Sequence, residues 1–367
     1  MKSEEEISRR RGEVSGAVTY EWLTQAEAAR FHKDPDNFKP LRASSLVGQQ
    51  QQRLSDEREG LFSVIDEFNL WRSKPELAEA VAAIKALTAV IQRSEATTMM
   101  GLEIDLKKAS EALKAWDETS ISLSAGCDLF MRYVTRTSAL EYEDIVAGKA
   151  RLIERGEKFG EISLKASPRT NARQTIALLG KDFVQDGSTI LTHGCSRVVL
   201  ALLKLAASNG KHFHVICTEG RPKNSGVEMA NQLLSAKIPV SLIIDSAIAY
   251  TMEKVDMVLV GADGVVESGG IINMIGTYQA ALVAHSMSKP VYVAAESYKF
   301  ARMYPLDQRD LPLAPCYVHF PGALPESVIA EVSTRDYTPP KYLTLLFTDL
   351  GVLTPSAVSD ELIQLYL

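Results

Sequence analysis

The stretch of sequence that decides the fold is residues 188–219, STILTHGCSRVVLALLKLAASNGKHFHVICTE. It begins with a short apolar run that ends at His193, continues with a helical pattern from Val198 to Ala207, and closes with a second run from His212 to Glu219. Strands that are apolar throughout are buried on both faces, and a helix between two of them is typical of parallel strands. The stretch therefore predicts an α/β fold.

The same alternation of strands and helices continues to the end of the chain. The pattern predicts further strands over 239–245, 257–261, 290–296 and 342–347, and helices over 225–236, 275–285 and 356–365. Residues 186–367 are thus predicted to form a doubly wound, mostly parallel, Rossmann-like sheet domain.

A helical domain is predicted before the sheet, over residues 61–185. Apolar residues recur there at steps of three and four, which is the spacing of one buried helix face; they are Leu77, Val81, Ile84, Leu87 and Ile91. The segment from Ser73 to Glu76 resembles a capping box, in which the serine hydroxyl would begin this helix. Residues 1–60 are mixed in composition and are predicted to be a poorly ordered or atypical N-terminal extension.

The composition argues against several classes of protein. The chain has 367 residues, 46% hydrophobic and 23% charged, with a net charge of −6, whereas domains that bind nucleic acid are usually basic. The four cysteines form no C-x-x-C pair, so neither a disulfide framework nor a cysteine zinc site is predicted. The N-terminus has no apolar signal region, and no stretch approaches the roughly 18 apolar residues of a membrane span. We therefore expect a cytosolic protein.

Polar residues stand at the carboxyl ends of the predicted strands. They are Thr192-His193, Thr218-Glu219, Asp245, Asp263 and Glu296. Ligands of open parallel sheets bind outside this edge, so the cluster predicts a functional crevice, although strand ends also turn polar where they reach water. The sequence has neither G-x-G-x-x-G after a strand nor a Walker A pattern, which argues against NAD and ATP sites of those kinds. No cofactor is predicted.

Glycine-rich turns and one arginine lie at the same edge. Gly261 to Gly264 and Asn273 to Thr277 follow predicted strands, and Arg221 lies just past the second strand. Glycines let backbone N–H groups approach an anion at a helix N-terminus, and arginine pairs with phosphate or carboxylate. These features predict a site for a phosphorylated small molecule, with ligand-binding residues Arg221, Asp263, Asn273, Gly276 and Thr277.

Two histidines raise the alternative of a metal site. His212 and His214 lie two positions apart on a predicted strand and would share a face. Because the sequence offers no third ligand beside them, we predict edge or surface histidines and no metal.

Several of these segments resemble a known superfamily. They are Ile190–His193, Thr218–Pro222, Ile238–Asp245, Val260–Asp263 and Asn273–Thr277. The resemblance is to the regulatory subunits of translation initiation factor 2B, a superfamily that includes isomerases of methylthioribose 1-phosphate and ribose 1,5-bisphosphate. Three longer stretches are similar to its alpha-subunit branch: Thr192–Val199, Ala295–Phe300 and Leu346–Leu362. The resemblance covers about residues 68–367.

The chain departs from the isomerases at the residues that carry their chemistry. Those enzymes use a cysteine just after the first strand and an aspartate in Gly-Ala-Asp as an acid/base pair. Here Gly194 occupies the cysteine position and Cys195 lies one residue later; Asp263 and Asn273 match the pattern, but Met274 replaces the usual lysine. Catalysis needs placement within about 1 Å. We therefore predict a degenerate site with no catalytic residue, and Cys195 as a small buried apolar side chain.

The resemblance implies a regulatory, non-catalytic subunit of the guanine-nucleotide exchange factor for translation initiation factor 2. The implied partners are the beta, gamma, delta and epsilon subunits, the phosphorylated alpha chain of initiation factor 2, whose inhibition the subunit would transmit, and a second copy of the chain that bridges the complex. The apolar segment 343–367 is predicted to form part of the homodimer contact. Two alternatives stay open: a sugar-phosphate isomerase with Cys195 and Asp263 as its acid/base pair, and a crevice that binds a sugar phosphate or nucleotide without chemistry.

Overall fold

The computed structural model describes residues 62–74, 77–139, 145–164, 172–312 and 333–366. The predicted N-terminal extension, 1–60, lies outside these residues. From Ser63 onward the described residues form one compact unit, in which helices come first and the sheet second. The predicted boundary between a helical and a sheet domain near residue 185 stays a prediction.

The first part of the unit is helical, as predicted. Its helices are α1 (Val64–Arg72), α2 (Glu79–Arg93), α3 (Met99–Trp116), α4 (Ile121–Ala139), α5 (Ile145–Leu164) and α6 (Ala172–Gly180). Helix α2 is rich in alanine and packs against α1, α4 and α5. The predicted apolar residues are all buried: Ile84, Leu87 and Ile91 join the core that contains Phe68 and Phe130. Leu77, just before the helix, and Val81 instead pack in a smaller cluster with Tyr298.

The predicted capping box does not begin α2. The helix starts at Glu79, and its N-cap residue, Ala78, offers no side-chain hydrogen bond. Ser73 instead ends α1, where its hydroxyl donates to the carbonyl oxygen of Leu70 at 2.8 Å. The hydroxyl is therefore engaged by the preceding helix, so the prediction was wrong for Ser73.

A seven-stranded sheet forms the second part. Its strands are β1 (Thr189–Thr192), β2 (His214–Thr218), β3 (Val240–Ile243), β4 (Met257–Gly261), β7 (Val291–Ala294), β10 (Leu345–Thr348) and β11 (Gly351–Leu353). Their order is β11-β10-β7-β4-β1-β2-β3, and all neighbours are parallel except β10 and β11. The chain builds outward from β1 in one direction and from β4 in the other, so the winding switches between these two strands. The doubly wound, mostly parallel sheet is confirmed, and this switch point is where such sheets bind ligands.

Helices cover both faces of the sheet. They are α7 (Arg197–Ser208), α8 (Ser225–Ser235), α9 (Ile248–Met252), α10 (Thr277–Ser286) and α11 (Val358–Tyr366). Ile190 and Leu191 are adjacent on β1 but belong to different cores, because successive side chains of a strand point to opposite faces. None of the helices in the described ranges is long and apolar enough to cross a membrane.

A second, smaller sheet was not predicted from the sequence. It consists of β5 (Gly264–Val266), β6 (Ile271–Met274), β8 (Phe300–Ala301) and β9 (Arg335–Thr338), in the order β8-β5-β6-β9. The antiparallel register of β6 and β9 sets Asn273 opposite Asp336 and Met274 opposite Arg335. This sheet therefore adds a wall to one side of the crevice.

Candidate functional site

A cavity of about 270 Å³ lies at the carboxyl ends of β1 and β4 and is walled on one side by β6 and β9. Of the predicted site residues, Gly194, Cys195, Asp263 and Asn273 line it, whereas Arg221, Gly276 and Thr277 do not. The cavity also contains residues that the sequence did not single out as ligand-binding. The structure thus brings together part of the predicted site and extends it.

His193 fixes the turn behind the cavity. Its Nε2 donates to the carbonyl oxygen of Ile275 at 2.7 Å, and its Nδ1 accepts from the hydroxyl of Thr218 at 2.6 Å. Burial lowers the pKa of His193, so the ring is neutral, which this bonding pattern requires. A Cβ on Gly276 would lie only 2.7 Å from the ring. His193 therefore fixes the position of the residues at the start of α10.

The position at which the family resemblance implies a cysteine is Gly194, and the nearest thiol is that of Cys195. Gly194 has a φ of +79°, a left-handed conformation that glycine adopts without strain. Cys195 is half-buried, and burial, followed by the charge of Glu228, raises the pKa of its thiol to about 11. Since the thiolate is the reactive form, this cysteine is a poor acid/base or nucleophile near neutral pH.

Asp263 is held in an ion pair. Its Oδ2 lies 3.0 Å from Nε of Arg335, which also donates through Nη1 to the carbonyl oxygen of Thr119. The Asp263 side chain remains about half exposed, whereas that of Arg335 is mostly buried. The carboxylate that would serve as a general base therefore already has a cationic partner.

Asn273 and Thr277 support the turn between β6 and α10. The Asn273 amide donates to the Thr277 hydroxyl at 3.0 Å, and that hydroxyl donates to the carbonyl oxygen of Met274 at 2.6 Å. Both side chains are buried. Thr277 is thus committed inside the fold rather than to the cavity, and ligand contact by Asn273 stays a prediction.

The N-terminus of α10 carries an acidic cap from the protein itself. Asp336 Oδ2 accepts from the N–H groups of Gly276 at 2.7 Å and Tyr278 at 3.0 Å. Burial raises the pKa of Asp336 to about 7, against the opposing effect of these N–H donors. The backbone N–H groups of Gly276 and Tyr278 therefore already donate to a carboxyl group of the protein, and ligand contact at Gly276 stays a prediction.

Arg221 lies outside the cavity. Its guanidinium is exposed, with Nε 3.7 Å from Glu219 Oε2. The backbone N–H groups of Gly220 and Arg221 donate to the two carboxylate oxygens of Asp245 at 2.9 and 2.8 Å. Asp245 thus organises this loop, and the predicted phosphate contact of Arg221 is not one that the described cavity provides.

Four cationic side chains do line the cavity: Arg197, Lys223, Lys299 and Arg335. Arg197 and Lys299 fall within stretches that carry the family resemblance, and that was the available signal for them. Arg335 lies on β9, a strand that the sequence analysis missed. Against these cations stand two carboxylates, Asp263 and Glu296, so the lining carries an excess of positive charge.

Glu296 takes part in an internal network of hydrogen bonds and ion pairs. The carboxylate is fully buried; its Oε1 accepts from Tyr298 at 2.8 Å and from Arg173 at 3.3 Å, and its Oε2 lies 3.2 Å from Lys299 Nζ. Burial alone would raise its pKa, but Lys299 and Arg173 outweigh burial and lower the pKa to about 2. Glu296 is therefore ionised, and it anchors these cations at the cavity wall.

Met274 fills the space between the loops after β1 and β2. Its sulfur accepts a hydrogen bond from the Ser225 hydroxyl at 3.2 Å. A Cβ on Gly194 would lie 3.2 Å from its terminal methyl, and one on Gly220 would lie 2.8 Å away. An apolar thioether thus stands at the position where the family resemblance implies a lysine.

The two histidines of the alternative metal site have other partners. Nδ1 of His212 lies 3.5 Å from Asp186, and Nε2 of His214 lies 2.9 Å from the Ser241 hydroxyl. Within the described ranges, no group of three or more histidine, cysteine or acidic residues is arranged to hold a metal ion.

Comparison with known proteins finds relatives of two kinds. A family model described as the initiation factor 2 subunit family matches residues 72–355. Translation initiation factor eIF2B subunit alpha of Dictyostelium discoideum is 47% identical over 306 residues, which are 80% of this chain and 94% of that protein. Ribose 1,5-bisphosphate isomerase of Pyrococcus furiosus is 32% identical over 300 residues, 79% of this chain and 89% of the enzyme.

A solved structure agrees with the fold. A chain of the tetrameric eIF2B beta2-delta2 complex from C. thermophilum matches with a TM-score of 0.68 at 20% identity, covering 89% of this chain and 100% of that chain. At this identity the match supports the fold alone, and it agrees with the helical part followed by a parallel sheet.

Proposed function

The chain belongs to the initiation factor 2 subunit family, and we propose that it is the alpha subunit of the cytosolic guanine-nucleotide exchange factor for initiation factor 2, with a regulatory and non-catalytic role. The observation that carries the proposal is the 47% identity to an eIF2B alpha subunit along 94% of that protein. The same length of chain is also similar to an isomerase, so the choice between the two activities rests on the cavity.

The residues of the cavity favour the non-catalytic role. An aldose–ketose isomerase needs a group that removes a proton and one that returns it. Gly194 has no side chain, the pKa of Cys195 is raised to about 11, and Asp263 is paired with Arg335. Neither half of the acid/base pair is therefore available in the form that the reaction requires.

The test of this role is nucleotide exchange in the assembled complex. Purified chain should co-purify with the beta, gamma, delta and epsilon subunits, and exchange on initiation factor 2 should then be inhibited by the phosphorylated alpha chain of that factor. Complexes that lack this chain should keep exchange and lose most of the inhibition. Full inhibition without this chain would contradict the proposal.

A second function, ligand binding without chemistry, is favoured by the charge of the cavity. Four cations converge on about 270 Å³ while the two carboxylates already have partners, and such a lining suits a phosphorylated sugar. We expect ribose 1,5-bisphosphate to raise the melting temperature and to undergo no turnover. At a concentration of 100 Kd the gain in stability is about 2.7 kcal/mol.

The matched variants for this ligand test are two exposed lysines. Lys223 lines the cavity, whereas Lys204 lies on α7 outside it. We expect Lys223→Gln to weaken the thermal shift and Lys204→Gln to leave it unchanged. Equal shifts in wild type and both variants would contradict binding in this cavity, and turnover that Asp263→Asn abolishes would revive the isomerase alternative.

A further inference from the structure

Two arginines join the cavity to the helical part of the fold, and we propose that a phosphate monoester bound in the cavity tightens the attachment of α2 and α4 to the sheet through Arg335 and Arg197. This inference rests on the proposed ligand binding and adds a regulatory consequence to it. It concerns contacts that run between the helical part and the sheet within one compact unit.

Arg335 makes the first link. From β9 its side chain reaches in two directions: Nε donates to Asp263 in the cavity, and Nη1 donates to the carbonyl oxygen of Thr119, just before α4. The side chain is only 19% exposed, so its position is set by these partners and the surrounding packing.

The Thr119 carbonyl that accepts from Arg335 lies beside a residue that is hydrogen-bonded to two helices. The next residue, Ser120, accepts from the N–H of Leu123 at 3.1 Å and so caps the start of α4. The same hydroxyl donates to Glu79 Oε2 at 2.6 Å, and Glu79 is the first residue of α2. The arginine therefore holds a segment to which the starts of both helices are bonded.

Arg197 makes the second link. It is the first residue of α7 and lines the cavity, and its Nη1 donates to the carbonyl oxygen of Leu77 at 3.1 Å. Leu77 immediately precedes Ala78, the N-cap residue of α2. Burial, followed by the charge of Arg173, lowers the pKa of Arg197, and an anion placed beside this guanidinium would favour its charged form.

A bound phosphate would act on both links without breaking them. A guanidinium has five N–H donors in a fixed plane, and the hydrogen bonds of Arg335 to Asp263 and Thr119 use Nε and Nη1. An anion that engages Nη2 would restrict the guanidinium to one orientation, the one that also holds the Thr119 carbonyl. Because the coupling is reciprocal, a firmly attached helical part would in turn favour ligand binding.

The experiment is hydrogen exchange of the full chain, followed in peptides covering 77–84 and 119–125. Ribose 5-phosphate is the probe, and ribose, which lacks the charge, is its matched control. We expect the phosphate to slow exchange in both peptides by about fivefold or more, the lower range of a coupling free energy, and ribose to have no effect. Saturable binding is measured separately by calorimetry.

Variants identify the route of the coupling. Arg335→Lys keeps the positive charge but cannot reach in two directions from one plane, so it should bind ribose 5-phosphate more weakly and, at a saturating concentration of the ligand, lose the protection of 119–125. Arg309→Lys is the control, because Arg309 is exposed and pairs only locally with Asp307 among the described contacts. That variant should behave as the wild type.

The outcomes separate the two ideas. Saturable binding with no change of exchange in either peptide would overturn the coupling and leave the ligand site intact. Protection that persists in Arg335→Lys and in Arg197→Lys would also overturn it, because the coupling would then not pass through the arginines. Absence of binding to the wild type would overturn the proposed ligand site and the coupling with it.

Discussion

At the scale of single residues, His193 and Gly276 show how tightly the turn behind the cavity is built. The ring is bonded at both nitrogens and is buried, so it cannot move aside, and Gly276 has a φ of +102° directly against it. A glycine that looks like part of an anion-binding loop in the sequence is needed here for a close contact inside the protein.

This contact leads to a prediction about stability. Gly276→Ala should destabilise the protein by about 2–5 kcal/mol, combining about 1–2 kcal/mol for the left-handed backbone with about 1–3 kcal/mol for the collision with His193. Gly210→Ala is the control: Gly210 has a φ of +82° with open space around its Cβ position, so it should lose only the backbone contribution. Urea unfolding of both variants makes the comparison, and equal losses would contradict the role given to His193.

At the scale of elements, the sequence predicted the parallel strands of the large sheet but not the strands of the small one. The reason is that local sequence patterns reveal only strands that are apolar throughout. Strands buried on both faces read as unbroken apolar runs, so β1, β2 and β4 are evident from composition alone. The strands of the small sheet have only two to four residues. β5 begins at Gly264, β6 follows Gly270, and β9 includes Arg335 and Asp336. Their identity comes from pairing with β6, a contact between distant parts of the chain that local patterns do not contain.

The candidate site could likewise be predicted from the sequence only in part. Asp263 and Asn273 were identified from the sequence, and both line the cavity. The loss of chemistry at Gly194 and Met274, which the family resemblance implies, stays a prediction. Arg335 and the capping role of Asp336 could not be identified, because both depend on the register of β6 and β9.

The cap on α10 leads to a prediction about pH. In the unfolded chain the pKa of Asp336 is near its ordinary value of about 3.9, whereas in the folded protein burial raises it to about 7. The folded state thus favours the protonated form, and this contribution to stability is fully present below about pH 4 and is lost as the pH rises through about 7.

Asp336→Asn should remove this part of the pH dependence. The amide keeps an oxygen that can accept from Gly276 and Tyr278, but it does not titrate. The free energy of unfolding of the wild type, relative to that of the variant, should fall by at least about 1 kcal/mol between pH 5 and pH 8, since one pKa unit corresponds to about 1.4 kcal/mol. Urea unfolding at both pH values measures this difference. A constant difference would show that Asp336 does not titrate in this range.

At the scale of the whole molecule, the predicted homodimer contact over 343–367 stays a prediction. Leu346, Phe347 and Val358 of that segment are buried in the core. A second apolar surface lies at the opposite edge of the sheet, where Leu242 on β3 and Ile244 just after it are 48% and 57% exposed. Helix α8, which packs beside β3, adds exposed Val227 and Leu234.

We expect this β3 surface to form the proposed homodimer, because exposed apolar surface on an edge strand favours association. The double variant Leu242→Asp with Ile244→Asp should run as a monomer in light scattering at concentrations where the wild type is a dimer. Val352→Asp, which changes a 38% exposed residue on the other edge strand, is the control and should remain dimeric. A dimeric double variant would rule out this surface.

Met274 also constrains how this protein can change over time. Because Gly194 and Gly220 both face its terminal methyl, the effect of adding a side chain at either position depends on which residue stands at 274. The three positions form an epistatic set: a side chain added at 194 or 220 would meet the methionine until 274 itself had changed. The order in which substitutions at these positions are tolerated is thereby restricted.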